Sequence, residues 1–164
     1  MLIYAENQKG SISPEQMAAT VKEFFSRYNV RGKRLLLIVP DQTRSGPVGE
    51  VFNLVFDCIG RYVAALDVLV ALGTHQPMSE EQICKRLDIP SEQRHSKYGR
   101  VNFFNHEWDK PETFTSLGKI SAEDISALSE GLFAEEVDVK LNKMIFDFDE
   151  FFILGPVFPH EVVG

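Results

Sequence analysis

Apolar residues recur along the chain with two spacings, one helical and one extended. A helix is predicted from Ser13, which can cap it, with Pro14 at the first position and Gln16 completing a capping box. The apolar residues that follow fall on one helical face: Met17, Val21, Phe24, Phe25 and Tyr28. A second helix is predicted between Pro47 and Gly60. Its apolar face comprises Val48, Val51, Phe52, Val55, Cys58 and Ile59.

Short, almost wholly apolar runs predict strands that are covered on both faces. There are four of them: Leu35–Val39, Ala65–Leu72, Val101–Phe104 and Phe151–Leu154. Between the second and the third, Ser79 and Gln82 form another capping box and predict a short helix. Alternating strands and helices imply an α/β fold, with a mainly parallel sheet flanked by helices in a Rossmann-like layered architecture.

The pattern is less clear in residues 107–130. Thr113–Ile120 is compatible with a strand, and residues 121–131 with a capped helix or an excursion from the fold. Val137–Leu141 alternates apolar and polar residues, which indicates an edge or half-exposed strand. The chain has no internal repeat, low-complexity tract or linker, so residues 1–164 are predicted to form a single α/β domain.

Composition and charge narrow the possible partners. The chain has 164 residues and a net charge of −7, which argues against nucleic acid and anionic membrane as partners. Cys58 and Cys84 do not form a CxxC pair, so metal-finger and disulfide-framework interpretations fail. The N-terminus lacks a signal-peptide pattern, and no apolar run approaches the roughly 20 residues that span a bilayer. We expect a cytoplasmic protein.

Three polar loops follow predicted strands and carry reactive side chains. The first holds Asp41 and Arg44, the second His75 and the third His160. In open α/β sheets, ligands bind in a crevice outside the carboxyl ends of the strands. We therefore expect these four side chains to surround one crevice.

The chemistry of these residues suits a small anionic substrate, although each residue has a structural alternative. Arg44 can grip a carboxylate or phosphate beside a helix N-terminus, or it can pair internally with Asp41. An imidazole can take or give a proton near neutral pH, so His75 and His160 could serve opposite faces of one substrate. Alternatively, each histidine only caps a strand. His106 has a weaker context and a structural role is favoured for it.

A metal site is the competing chemistry. His75, His106, His160 and Asp41 are ligand types, but the sequence contains no HxH or HExxH pair. We therefore assign no metal ligand in this chain. Walker, GxGxxG and nucleophile-elbow motifs are also missing.

Taken in order, these loops resemble the nickel-dependent lactate racemase family. The family's Asp-x-Thr-Arg loop corresponds to Asp41–Arg44, and its Gly-Thr-His step to Gly73–His75. Asn105–Glu107 is similar to its His-Asp step, and Ile153–His160 to its Ile-x-Gly-x-x-x-Pro-His element. The chain departs from the family's pattern at Gln42, Ser45–Gly46 and Gln76, which stand where His, Pro and Arg are common.

The resemblance implies roles for individual residues. His75 and His160 would be the two catalytic acid/base residues, one for each stereoisomer of a 2-hydroxy carboxylate. The substrate would be bound by Arg44, Thr74 and Gln76. Asp41 and Thr43 would contact the cofactor, a nickel-pincer nucleotide.

The resemblance also implies that the enzyme extends beyond this chain. The family's Ser-Gly-Gly-x-Lys segment, which tethers the cofactor, and its nickel-ligating His lie beyond Gly164, so no cofactor is expected in this chain alone. A second, C-terminal domain is missing as well. We thus predict the N-terminal part of a two-domain 2-hydroxy-acid racemase or epimerase, inactive alone. The alternatives are a non-catalytic module that binds a small carboxylate or a protein, and a scattered-ligand metallohydrolase.

Overall fold

The computed structural model describes residues 2–157. The helices are α1 (Pro14–Arg27), α2 (Val48–Ile59), α3 (Glu80–Arg86), α4 (Ser91–Arg94) and α5 (Ala122–Leu128). The strands are β1 (Arg34–Pro40), β2 (Ala65–Ala71), β3 (Phe103–Asn105), β4 (Phe114–Ile120), β5 (Val137–Asn142) and β6 (Glu150–Ile153). Short 3₁₀ helices span Pro111–Thr113 and Lys143–Asp147.

Both predicted capping boxes are present. The Gln16 N–H donates to the Ser13 hydroxyl at 3.2 Å, and the Ser13 N–H donates to the Gln16 side chain at 2.9 Å. Ser79 and Gln82 make the same reciprocal pair at the start of α3. Each box satisfies two backbone donors that a helix N-terminus otherwise leaves unpaired. Residues three apart in sequence therefore suffice to place these two helix starts.

The main sheet has four parallel strands in the order β3-β2-β1-β6. Strand β1 is central. It pairs with β2, where Arg34 lies opposite Ala65, and with β6, where Leu35 lies opposite Glu150. The chain runs outward from β1 to β3 and then crosses back to β6 on the other side of β1. All four carboxyl ends meet at one edge, and the direction of winding changes between β1 and β6, where such sheets place their ligand crevices.

One face of the sheet carries the main core. Leu35, Leu37 and Val39 of β1 are buried there in a cluster with residues of α2 and α3, among them Phe52 and Ile83. The predicted α/β architecture, a parallel sheet flanked by helices, is confirmed. Among the described residues, none after Val101 is buried. The apolar pattern of the sequence therefore predicts buried strands and helices best in the first 101 residues.

The strands differ by one or two residues in their bounds from those predicted. The third strand begins at Phe103 rather than Val101, because the Val101 N–H turns back to the Tyr98 carbonyl at 3.0 Å. Strand β2 ends at Ala71, one residue before the predicted Leu72.

The uncertain middle region contains a hairpin-like pair outside the main sheet. Strands β4 and β5 pair antiparallel as a separate two-stranded sheet, with an irregularity between Ser116 and Gly118. Gly118 has φ +131°, a conformation that favours glycine. Between the strands, Ser121 caps α5, so the helical interpretation of that segment is confirmed. Within residues 2–157, no helix has the length and apolar character to cross a membrane.

Candidate functional site

The carboxyl ends of β1 and β2 bring Asp41 and His75 into contact. Asp41 follows the last residue of β1, and His75 lies four residues after the end of β2. The Nδ1 atom of His75 forms a hydrogen bond with Oδ2 of Asp41. The Asp41 side chain is 5% exposed and that of His75 54%. A buried carboxylate thus holds an imidazole that is open to solvent.

The second oxygen of Asp41 is occupied by its own loop. The Thr43 N–H donates to Oδ1 at 2.9 Å and the Thr43 hydroxyl at 2.5 Å. Burial raises the pKa of the Asp41 carboxyl, but the hydrogen bonds from Thr43 and His75 outweigh burial and hold the pKa below its usual value. Asp41 is therefore a carboxylate at neutral pH.

The backbone of His75 is held on both sides. Its N–H donates to the Leu72 carbonyl at 3.0 Å, closing a turn in which Gly73 has φ +59°. Its carbonyl accepts the indole N–H of Trp108 at 3.1 Å. Sequence reasoning missed Trp108. The available signal was its position three residues after β3, at the carboxyl edge of the sheet.

The far end of the His75 loop is anchored to β3. The Asn105 side chain accepts the Met78 N–H at 3.0 Å and donates to the Met78 carbonyl at 2.9 Å. An amide side chain here satisfies both backbone groups of a buried residue, as a neighbouring strand would. Asn105 is the last residue of β3, so the third strand fixes a loop that follows the second.

The Arg44 loop is secured by Arg86, which sequence reasoning also missed. From the last residue of α3, Arg86 donates to the Pro40 carbonyl at 3.2 Å and to the Arg44 carbonyl at 2.8 Å. Arg44 is exposed, as are Thr74 and Gln76 on either side of His75. The structure thus places all three predicted substrate-binding residues on exposed loops at the carboxyl edge.

The remaining histidines have different positions. His160 lies outside the described residues, and its meeting with His75 stays a prediction. Strand β6 leaves the sheet beside β1 at the same edge, where the Leu154 N–H donates to the Ile38 carbonyl at 2.9 Å. His106 shares a 3.0 Å hydrogen bond between its Nδ1 and the Asn142 side chain, and its ring packs edge-on against Phe114.

Within residues 2–157, no group of three or more His, Cys, Asp or Glu side chains could hold a metal ion.

The fold and the site define an α/β domain with a histidine–carboxylate pair at the carboxyl edge of a parallel sheet. More particularly, the chain belongs to the family of lactate racemase N-terminal domains, whose model matches residues 17–164. The chain is also similar to a crystal structure of a Thermotoga maritima protein, with 28% identity and a TM-score of 0.76. That match covers 92% of this chain and 34% of the other, so this chain spans about a third of that relative. No curated protein matches the chain.

Proposed function

We propose that this chain is the N-terminal part of a 2-hydroxy-acid racemase or epimerase and that His75 is one of its two acid/base residues. The observation that carries the proposal is the Asp41–His75 pair at the carboxyl edge, in a chain of the lactate racemase N-terminal domain family. A half-exposed imidazole beside a buried carboxylate can accept the proton of a substrate hydroxyl and return it.

Substrate binding is assigned to the exposed loops around His75. Arg44 would orient the carboxylate of the hydroxy acid through two parallel hydrogen bonds, with Thr74 and Gln76 beside it. The following helix α2 has 12 residues, and its N-terminus adds a favourable field for an anion. An anchored carboxylate leaves the C2 hydroxyl free to approach His75.

The second acid/base residue of the proposal is His160. The two enantiomers present their hydroxyl groups differently, so one histidine would serve each of them. The nickel-pincer nucleotide, when bound, would accept and return the hydride of C2. Asp41 and Thr43 were predicted to contact it. In the described structure Thr43 donates two hydrogen bonds to Asp41. The exposed side of the loop that contains Thr43 is therefore the part that could contact a cofactor.

The proposal includes partners outside this chain. The cofactor attachment and the nickel ligands would come from a C-terminal part of the parent enzyme, because this chain corresponds to only 34% of the similar Thermotoga maritima protein. The 164-residue chain alone is therefore expected to be inactive. A cytoplasmic location agrees with two cysteines that are both free.

The experiment is a single-turnover measurement on the full-length, cofactor-loaded parent enzyme with each pure enantiomer of a 2-hydroxy acid. His75→Ala should lose about 10²–10⁴-fold in one half-reaction only, and His160→Ala in the opposite one. Arg44→Ala should weaken both alike, because a carboxylate clamp serves both stereoisomers.

His95→Ala is the matched control, since His95 is exposed at the end of α4 and should leave both half-reactions unchanged. Equal loss of both half-reactions in the two histidine variants would overturn the two-base assignment. If the His75→Ala variant kept both half-reactions at the parent rate, His75 would have no role in the mechanism. Stoichiometric binding of a 2-hydroxy acid without any turnover in the full-length enzyme would favour the non-catalytic carboxylate-binding alternative.

A further inference from the structure

The contacts of Asp41 determine where the proton of His75 lies. Oδ1 of Asp41 receives the Thr43 backbone N–H at 2.9 Å, and a backbone N–H can only donate. The Thr43 hydroxyl also reaches Oδ1, at 2.5 Å. Oδ1 is therefore committed to its own loop, and Oδ2 is the oxygen that faces Nδ1 of His75.

The charge of Asp41 then decides the direction of the hydrogen bond to His75. Burial raises the pKa of this carboxyl, but two hydrogen bonds from Thr43 stabilise its ionised form, and its pKa lies below the usual value, so Asp41 is ionised at neutral pH. An ionised carboxylate accepts hydrogen bonds and cannot donate one. Because Nδ1 of His75 lies in hydrogen-bond contact with this carboxylate, Nδ1 must carry the hydrogen.

We infer that Asp41 is a positioning residue, which holds neutral His75 in the Nδ1–H tautomer and leaves Nε2 as the atom that exchanges a proton with the substrate. The assignment of Nε2 as the atom that exchanges a proton with the substrate rests on the function proposed above. The assignment of the tautomer is independent of that function. The His75 backbone is meanwhile fixed through its N–H by Leu72 and through its carbonyl by Trp108.

Asp41→Asn is the decisive variant because Thr43 constrains how the new amide can orient. The Thr43 N–H requires an acceptor, so the amide oxygen should take the place of Oδ1 and the NH₂ group should face His75. Nδ1 would then have to accept a hydrogen bond, and the proton of neutral His75 would move to Nε2. The variant should therefore reverse the tautomer with little change of shape.

The tautomer is read from long-range ¹H–¹⁵N correlation spectra of the 164-residue chain at about pH 9, above the range in which an ordinary imidazole titrates. The parent sequence should show a protonated Nδ1 and a bare Nε2 at His75, and Asp41→Asn the reverse. Thr43→Val is the matched control: it removes the hydroxyl donor, keeps the N–H and should preserve the parent tautomer. Trp108→Phe should preserve it as well.

A protonated Nε2 in the parent chain would overturn the inference even if Asp41→Asn failed to fold. An unchanged tautomer in a folded Asp41→Asn chain would overturn it too. These spectra need neither substrate nor cofactor, so their outcome is separate from that of the racemase proposal.

In the full-length enzyme, Asp41→Asn should lower kcat about 10²–10⁴-fold in the half-reaction assigned to His75, with KM little changed. Equal loss in both half-reactions would show that Asp41 acts on something other than His75. Normal turnover with a reversed tautomer would instead remove His75 from catalysis and leave the positioning contact standing.

Discussion

The indole N–H of Trp108 donates to the backbone carbonyl of His75 across 3.1 Å. This hydrogen bond ties the segment after β3 to the loop after β2, two segments that are 33 residues apart in sequence. Because the Trp108 side chain is only partly buried, with 38% of the residue exposed, the bond is in the range of an ordinary protein hydrogen bond rather than a deeply buried one.

Trp108→Phe should loosen the His75 loop without unfolding the domain. The ring is kept and one hydrogen bond is lost, which costs about 1 kcal/mol. Amide hydrogen exchange of the His75 N–H, which is bonded to Leu72, should become roughly fivefold faster. Tyr62→Phe, at a residue that is also partly exposed, is the control and should leave this amide unchanged. Identical His75 exchange in the two variants would mean that the indole contact does not restrain the loop.

Asn105→Ala should destabilise the domain by about 1–3 kcal/mol, because both backbone groups of buried Met78 lose their partner. The measurement is urea unfolding, where the midpoint should fall while the slope stays constant. Asn29→Ala removes an exposed side chain that accepts the Arg31 N–H at 3.1 Å, and should cost less. A midpoint for Asn105→Ala equal to that of Asn29→Ala would contradict the anchoring role.

Gly49→Ala should be destabilising by about 1–3 kcal/mol through overpacking in the first turn of α2. A Cβ at this position would lie 2.2 Å from Oδ2 of Asp88 and 2.8 Å from the carbonyl carbon of Leu87. Asp88→Gly added to it should recover only part of the loss, since the Leu87 backbone remains. Glu50→Ala, at the next and exposed residue, is the control for helix propensity. The measurement is thermal unfolding of the parent chain, Gly49→Ala, the double variant with Asp88→Gly, and Glu50→Ala. An unchanged stability of Gly49→Ala would show that the helix can shift to make room for the added Cβ.

Asp41 should make the stability of the domain sensitive to acid. Its folded-state pKa is lowered, so the carboxylate stabilises the fold above its unfolded pKa of about 3.9, and this contribution is lost as pH falls through the folded value. Asp41→Asn has no such group. The difference in unfolding free energy between the parent chain and Asp41→Asn should therefore shrink as the pH falls below about 4. A difference that does not change with pH would show that Asp41 is not stabilised as a carboxylate.

The sequence alone determined the elements that depend on neighbouring residues. The capping boxes at Ser13 and Ser79 act within three residues, and the apolar runs of β1 and β2 reflect burial on both faces of a sheet. The α/β architecture followed from their alternation, and the placement of Asp41 and His75 on loops at strand ends followed from the same pattern.

The tertiary structure decided what depends on distant segments meeting. Strand order placed β2 beside β1, and this pairing brings Asp41 against His75. The contacts of Trp108 with His75 and of Asn105 with Met78 join residues 33 and 27 positions apart. Periodicity and capping report the local environment of a residue, whereas a hydrogen bond between loops depends on the register and orientation of whole strands, which the packed sheet alone specifies.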